Sequence, residues 1–130
     1  MKIETVVAWY IKAEAAFVTV LTVLALYLGW VMFSSPFSRA GFDQQVWARA
    51  AHDSDRCDTR GEMIDSLLKK HVQTGMEKSQ LVALLGQPDN DHGGEISYYL
   101  GFCQTFVDPD TLDFYFDNQG ALTKHVVKNH

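Results

Sequence analysis

A chain of 130 residues has room for one compact domain and an appendage. Its net charge of −5 argues against a nucleic-acid partner, which wants a basic face. Two cysteines are too few for a disulfide-dense scaffold and leave at most one bridge.

The first element is apolar. Ala15 to Phe33 is 19 residues without a charge, and nothing charged lies between Glu14 and Arg39. As a helix this run rises about 28 Å, close to the hydrocarbon thickness of a bilayer. Trp9 and Tyr10 precede it and Trp30 closes it, so aromatics fall near both interfaces. Residues 1–36 therefore read as a transmembrane signal-anchor, with the bilayer contacted through residues 15–33. A cleaved signal peptide is the competing reading, because Ser38-Arg39-Ala40 has small-x-small form. Against it stand the length of the apolar run and two glutamates before it. No Cys follows the run to carry a lipid. Ala25 and Gly29 form a small-xxx-small pair, a weak pattern for close helix packing.

Residues 37–58 read as a juxtamembrane helix and linker. Phe42, Val46 and Ala50 recur at helical spacing beside Trp47, and residues 52–58 ("HDSDRCD") are polar. The folded domain is expected over residues 59–130. Thr59 and Glu62 have capping-box spacing, and Met63, Ile64, Leu67, Leu68 and Val72 share one face, predicting a helix over 59–72. A second helix follows Glu77, with Gln80 at the box position and Met76 placed to staple onto Leu81; Thr74 with Glu77 offers a rival box. Gly86 and Pro88 end it.

Strands come next. Ile96, Tyr98, Leu100 and Phe102 alternate with polar or small neighbours, and so do Leu112, Phe114 and Phe116. "DNQG" (117–120) suits a hairpin with Gly120 at positive φ, returning through "ALTKHVV". The expected fold is α+β: a single N-terminal transmembrane helix, then two helices packed on a three-stranded antiparallel meander in two layers.

The elements "GMEKSQLVALLGQPD", "YYLG" and "LDFYFDNQGAL" resemble the SmpA/OmlA type of domain, found in the small lipoprotein of the outer-membrane β-barrel assembly machine. The resemblance covers roughly Met63 to Val127. It implies an αα-βββ domain, and because the matching residues are mostly fold-forming they bear on architecture more than on function. Two departures stand out: Glu77 replaces the usual Thr or Ser after Gly-Met, and a membrane helix replaces the lipid-bearing Cys. The second points to the bacterial inner membrane, single-pass, with the C-terminal domain in the periplasm.

Cys57 and Cys103, 46 positions apart, suit one disulfide in an oxidising compartment; two free thiols on the cytoplasmic side are the alternative. No catalytic constellation, metal set or cofactor motif can be placed. His52, Asp53, Asp55 and Asp58 lack the Gly and Glu of a calcium loop and read as linker. Asp108, Asp110 and Asp113 fail the same test, and His92 with Asp89 and Asp91 reads as a polar loop. His71 falls in the apolar phase of its helix and reads as a core residue. The second helix carries one cation, Lys78, too few for a DNA-reading helix, and no small-molecule substrate is implied. If Ile96, Tyr98, Leu100, Phe102, Leu112, Phe114 and Phe116 face the helices, Tyr99 and Tyr115 lie opposite. His125 joins them only if the last strand keeps phase, which Lys124 leaves open. Those three are the candidate partner-binding residues, cross-strand packing of tyrosines being the plainer alternative. The expected function is a non-enzymatic, membrane-anchored protein-interaction module of the cell envelope. An accessory subunit of an inner-membrane complex, held by its helix, is the second reading.

Overall fold

The computed structural model describes residues 2–53 and 56–130. The chain falls into two units, one ending at Ser34 and the other Ser35–His130.

The first unit is one helix, α1 (Ile3–Phe33), with no buried side chain. Among the described residues it is the one helix long and apolar enough to cross a membrane. Inside the apolar run, Thr19 and Thr22 give their hydroxyls to carbonyls one turn back, to Ala15 at 2.8 Å and to Val18 at 2.9 Å. That matters in hydrocarbon, where an unmet hydroxyl has no water to turn to.

The second unit is α+β. Its helices are α2 (Gln44–Arg49), α3 (Thr59–Glu62), α4 (Ile64–Lys70) and α5 (Lys78–Leu85), preceded by a 3-10 turn at Pro36–Ser38. Its strands are β1 (Asn90–Asp91), β2 (Glu95–Gly101), β3 (Asp110–Phe116) and β4 (Leu122–Asn129). They form an antiparallel sheet in the order β1-β2-β3-β4. One sheet face packs on the helices. Ile96, Tyr98, Leu100, Leu112, Phe114 and Leu122 meet Trp47, Ile64, Leu67, Leu81 and Leu85 in a dry core. Fully burying side chains of this size is worth roughly 1.5–3 kcal/mol each.

The fold departs from the expected two helices on three strands in three respects. A fourth strand, β1, lies where "DND" gives no apolar alternation; it pairs through Asn90 to Ser97 and Asp91 to Ile96. The helix expected over 59–72 breaks at Met63, whose amide turns back to Arg60 rather than Thr59. The break has a geometric reason. The chain entering α3 is tied to the end of β2 by Asp58 N–H to Leu100 O at 2.8 Å, whereas Ile64 and Leu67 of α4 must reach the core. Finally, residues 37–58 are not a detached linker. Trp47 of α2 is fully buried, donates its indole N–H to Leu85 O at 3.0 Å and carries the Arg60 guanidinium 5.1 Å from its ring.

Local readings at the α5 start and the hairpin hold, and the one at Gly86 holds in part. Glu77 caps α5, its amide donating to Gln80 Oε1 at 3.0 Å. Gly86 ends that helix at positive φ (80°), although its ψ of −170° continues extended instead of closing a left-handed cap. The β3–β4 hairpin turns on Asp117, whose Oδ1 accepts from Gln119 and Ala121, with Gly120 at φ 80°.

Candidate interaction face

Cys57 and Cys103 are joined in a disulfide, with Cα atoms 4.2 Å apart. The sequence around the bridge is fitted to it. A Cβ at Gly61 would run into the sulfurs of both cysteines. Gly101, at φ 83°, gives the Arg56–Asp58 segment room to cross, and a Cβ there would strike Arg56 O. Phe102 N–H donates to Arg56 O at 2.9 Å, so the bridge sits inside a short backbone pairing.

The sheet's second face holds the aromatic candidates. Pairings of Ser97 with Asp113, Tyr99 with Thr111 and Glu95 with Tyr115 put Tyr99 and Tyr115 on that face, as the alternation predicts. Neither ring is bare. Tyr99 is stacked under His52, with centroids 4.5 Å apart, and its amide donates to Asp89 Oδ2 at 2.7 Å. Tyr115 lies under two ammonium groups, Lys124 Nζ at 4.6 Å and Lys128 Nζ at 5.1 Å from its centroid.

His125 does not belong with them. A bulge separates the pair Tyr115–Lys124 from the pair Phe116–Leu122, leaving Thr123 as the extra residue. The slip moves every later side chain of β4 to the other face. His125 therefore pairs with Phe114 and lies toward the helices, its ring 6.3 Å from that of Phe114, and Val127 follows it. Lys124, Val126 and Lys128 take the second face instead.

That rephasing assembles a charge network the alternation alone could not reveal. Lys128 Nζ lies 2.7 Å from Asp113 Oδ2 and 3.1 Å from Glu95 Oε1. Asp113 is 1% exposed, although it sits on the nominally wet face. Burial by itself would raise its carboxyl. The Lys128 ammonium and the flanking Ser97 and Thr111 hydroxyls outweigh that and hold it below the usual carboxylate range. Asp113 Oδ1 meets no donor at hydrogen-bonding distance, and the contact with Lys128 is made through Oδ2. Hydrogen bonds, first to Asp113, then to Tyr115 and Glu95, push the Lys128 ammonium up.

The remaining polar candidates serve the fold. Asp53 accepts from the amide and hydroxyl of Thr59 at 3.1 and 2.7 Å, and Asp58 Oδ2 accepts the His52 amide. Asp55 lies outside the described residues. Asp91 takes Lys78 Nζ at 2.7 Å and the Gly93 amide, and these bonds lower its carboxyl, so Lys78 ties α5 to the β1–β2 turn. Asp89 faces Arg60 at 3.6 Å, and Asp110 accepts from the amides of Cys103 and Gln104, shaping the β2–β3 loop. Tyr98 is buried, which raises its phenol, and its hydroxyl donates to Gly86 O at 2.8 Å. His71 is exposed at the end of α4, against Phe42 at 4.9 Å, and not in the core where its helical phase placed it. On α1, a Cβ added at Gly29 would meet nothing within 4 Å.

No sequence-family model, curated protein or solved structure matches the chain.

Proposed function

We propose that this chain is a single-pass protein of the bacterial inner membrane whose folded domain faces the periplasm and binds a partner protein without catalysing a reaction. The disulfide carries the compartment. Gly61 and Gly101 leave the space that the bridge and the strand crossing beside it need, and such a bridge lasts in an oxidising space but not in the cytosol. The apolar span of α1 supplies the anchor. The partner patch centres on Tyr115, Lys124 and Val126, an aromatic under a cation beside an exposed aliphatic, with Tyr99 and His52 at its margin. Resemblance to SmpA/OmlA-type domains in the α5 region and the β3–β4 hairpin favours an assembly role in the envelope.

The rival reading makes α1 the binding element, favoured by its unburied side chains and the small residues Ala25 and Gly29. Replacing residues 15–33 with an unrelated apolar helix separates the two. Crosslinked affinity purification from native membranes should then recover the same partner. Loss of the partner with the anchor intact would make the protein an accessory subunit held by its helix. Protease added to spheroplasts should digest the domain; protection until lysis would overturn the periplasmic assignment.

A further inference from the structure

The β2–β3 loop carries the most exposed large apolar side chains of the folded domain among the described residues. Phe106 is 82% and Val107 81% exposed, against 41% for Val46 and 38% for Val126. Isolated exposed apolar residues are ordinary, but two adjacent ones at a loop tip are less so. The base of this loop is tied down by a disulfide and hydrogen bonds. Cys103 is bonded to Cys57, and the Asp110 carboxylate accepts the amides of Cys103 and Gln104 and the side-chain amide of Gln104. The tip is thus held out by its own scaffold.

Cations flank it. The Arg56 guanidinium lies 5.9 Å from the Phe106 ring centroid, and Arg39 lines the same cleft, together with Pro36, Cys103 and Phe106. Pro36 is three residues beyond Phe33, the last residue of α1, so chain reach places it within about 11 Å of the helix end. That is roughly the depth of a headgroup layer plus a little. Pro36 and Phe106 line one cleft, so the loop tip lies beside the first residues of the folded unit, which follow the apolar span directly in the chain.

We infer that Phe106 and Val107 enter a phospholipid interface, with Arg39 and Arg56 facing lipid phosphates, so that the folded domain engages the bilayer at a second point besides the α1 anchor. Aromatic and aliphatic tips with arginine neighbours suit that boundary, where the ring finds acyl chain and the guanidinium finds phosphate. The inference rests on α1 spanning a membrane. It adds a fixed attachment, so the partner patch is presented at a set height above the bilayer instead of swinging on a tether.

The test uses the full chain in phospholipid vesicles. Both native cysteines are in the disulfide, so Val107→Cys provides a single thiol for an environment-sensitive nitrobenzoxadiazole label. Asn118→Cys, in the hairpin at the far end of β3, serves as the reference. β3 spans about 20 Å, so the two labels report separate heights. The label at 107 should emit to the blue of that at 118 and be quenched by iodide about threefold less. Adding Phe106→Asp with Arg56→Gln should restore iodide access, which also excludes insertion driven by the dye alone. Equal quenching at 107 and 118, in a chain that alkaline carbonate leaves in the vesicles, would overturn the second attachment. Release of the chain by carbonate would overturn the membrane span instead, and the inference with it.

Discussion

The two faces of the sheet follow different rules. Toward the helices, Ile96, Tyr98, Leu100, Leu112 and Phe114 are fully buried and apolar apart from one phenol, which finds a carbonyl. On the other side Asp113 is buried almost as completely, yet its neighbours are the Lys128 ammonium and two hydroxyl residues, Ser97 and Thr111. Burial alone therefore does not mark the core. On one face it is achieved by shape filling, which tolerates no lost volume. On the other it comes with a long amphipathic side chain, Lys128, whose ammonium is turned onto the buried carboxylate. The first arrangement fixes the fold, and the second leaves a surface with cations and aromatics that a partner can use.

The largest effect is expected on the helix face. Phe114→Ala should lower the unfolding free energy by about 3–5 kcal/mol, measured by denaturant titration of the domain in detergent. A loss below 1 kcal/mol would mean that the two faces were not distinct. Next comes the disulfide, which joins the end of β2 to the chain ahead of α3. Replacing both cysteines with serine should cost about 2–4 kcal/mol and leave the sheet pairing intact. Non-reducing mass mapping of the native protein should recover the linked peptides, and two alkylatable thiols would remove the argument for an oxidising compartment.

Much of this was legible in the residues, for reasons that also explain the failures. The apolar helix, the cysteine pair and the inward phase of β2 and β3 are carried by runs of side chains with one period. The missed strand β1 has two polar residues and borrows its structure from β2, so no local signal exists. Trp47 looked like part of a membrane-surface helix because its core partners, Leu85 and Arg60, lie 38 and 13 positions away in the chain. The Asp113–Lys128 pair was hidden by the bulge at Thr123, since alternation assumes an unbroken ladder.

That pair gives a pH-dependent contrast. Asp113 is held below its unfolded value, so its contribution is present above about pH 4 and is lost as pH falls through the lower folded value. Lys128→Met removes the ammonium and leaves burial opposed only by the Ser97 and Thr111 hydroxyls, so the carboxyl should titrate higher than in the wild type. The variant should then fall furthest behind the wild type at neutral pH and regain ground on acidification as the carboxyl protonates. Melting curves at several pH values should show wild type and variant converging as pH falls below about 4. A constant difference at all pH values would mean that Asp113 is not charged in the fold.

On the second face the expected effects on stability are small and those on binding larger. Tyr99→Ala and Tyr115→Ala should each cost less than about 1 kcal/mol, yet weaken capture of the partner from crosslinked membranes. Severe destabilisation of either would make the tyrosines structural, packed under His52 and the lysines with no partner role.

The smallest effect separates neighbouring residues of β4. His125 and Lys124 are adjacent, both exposed, and assigned to opposite faces only because of the bulge at Thr123. His125 pairs with Phe114 at the rim of the helix layer, so His125→Ala should change stability by no more than about 0.5 kcal/mol and leave capture unchanged. Lys124 lies over Tyr115 within the proposed patch, so Lys124→Ala should be equally mild for folding and should reduce capture. A pull-down on the two variants, with a melt of each, reads the register directly. If His125→Ala weakened capture and Lys124→Ala did not, β4 would run without the bulge and Thr123 would be an ordinary strand residue. The lysine network on Asp113 could not then form, because Lys128 would leave that face together with Lys124.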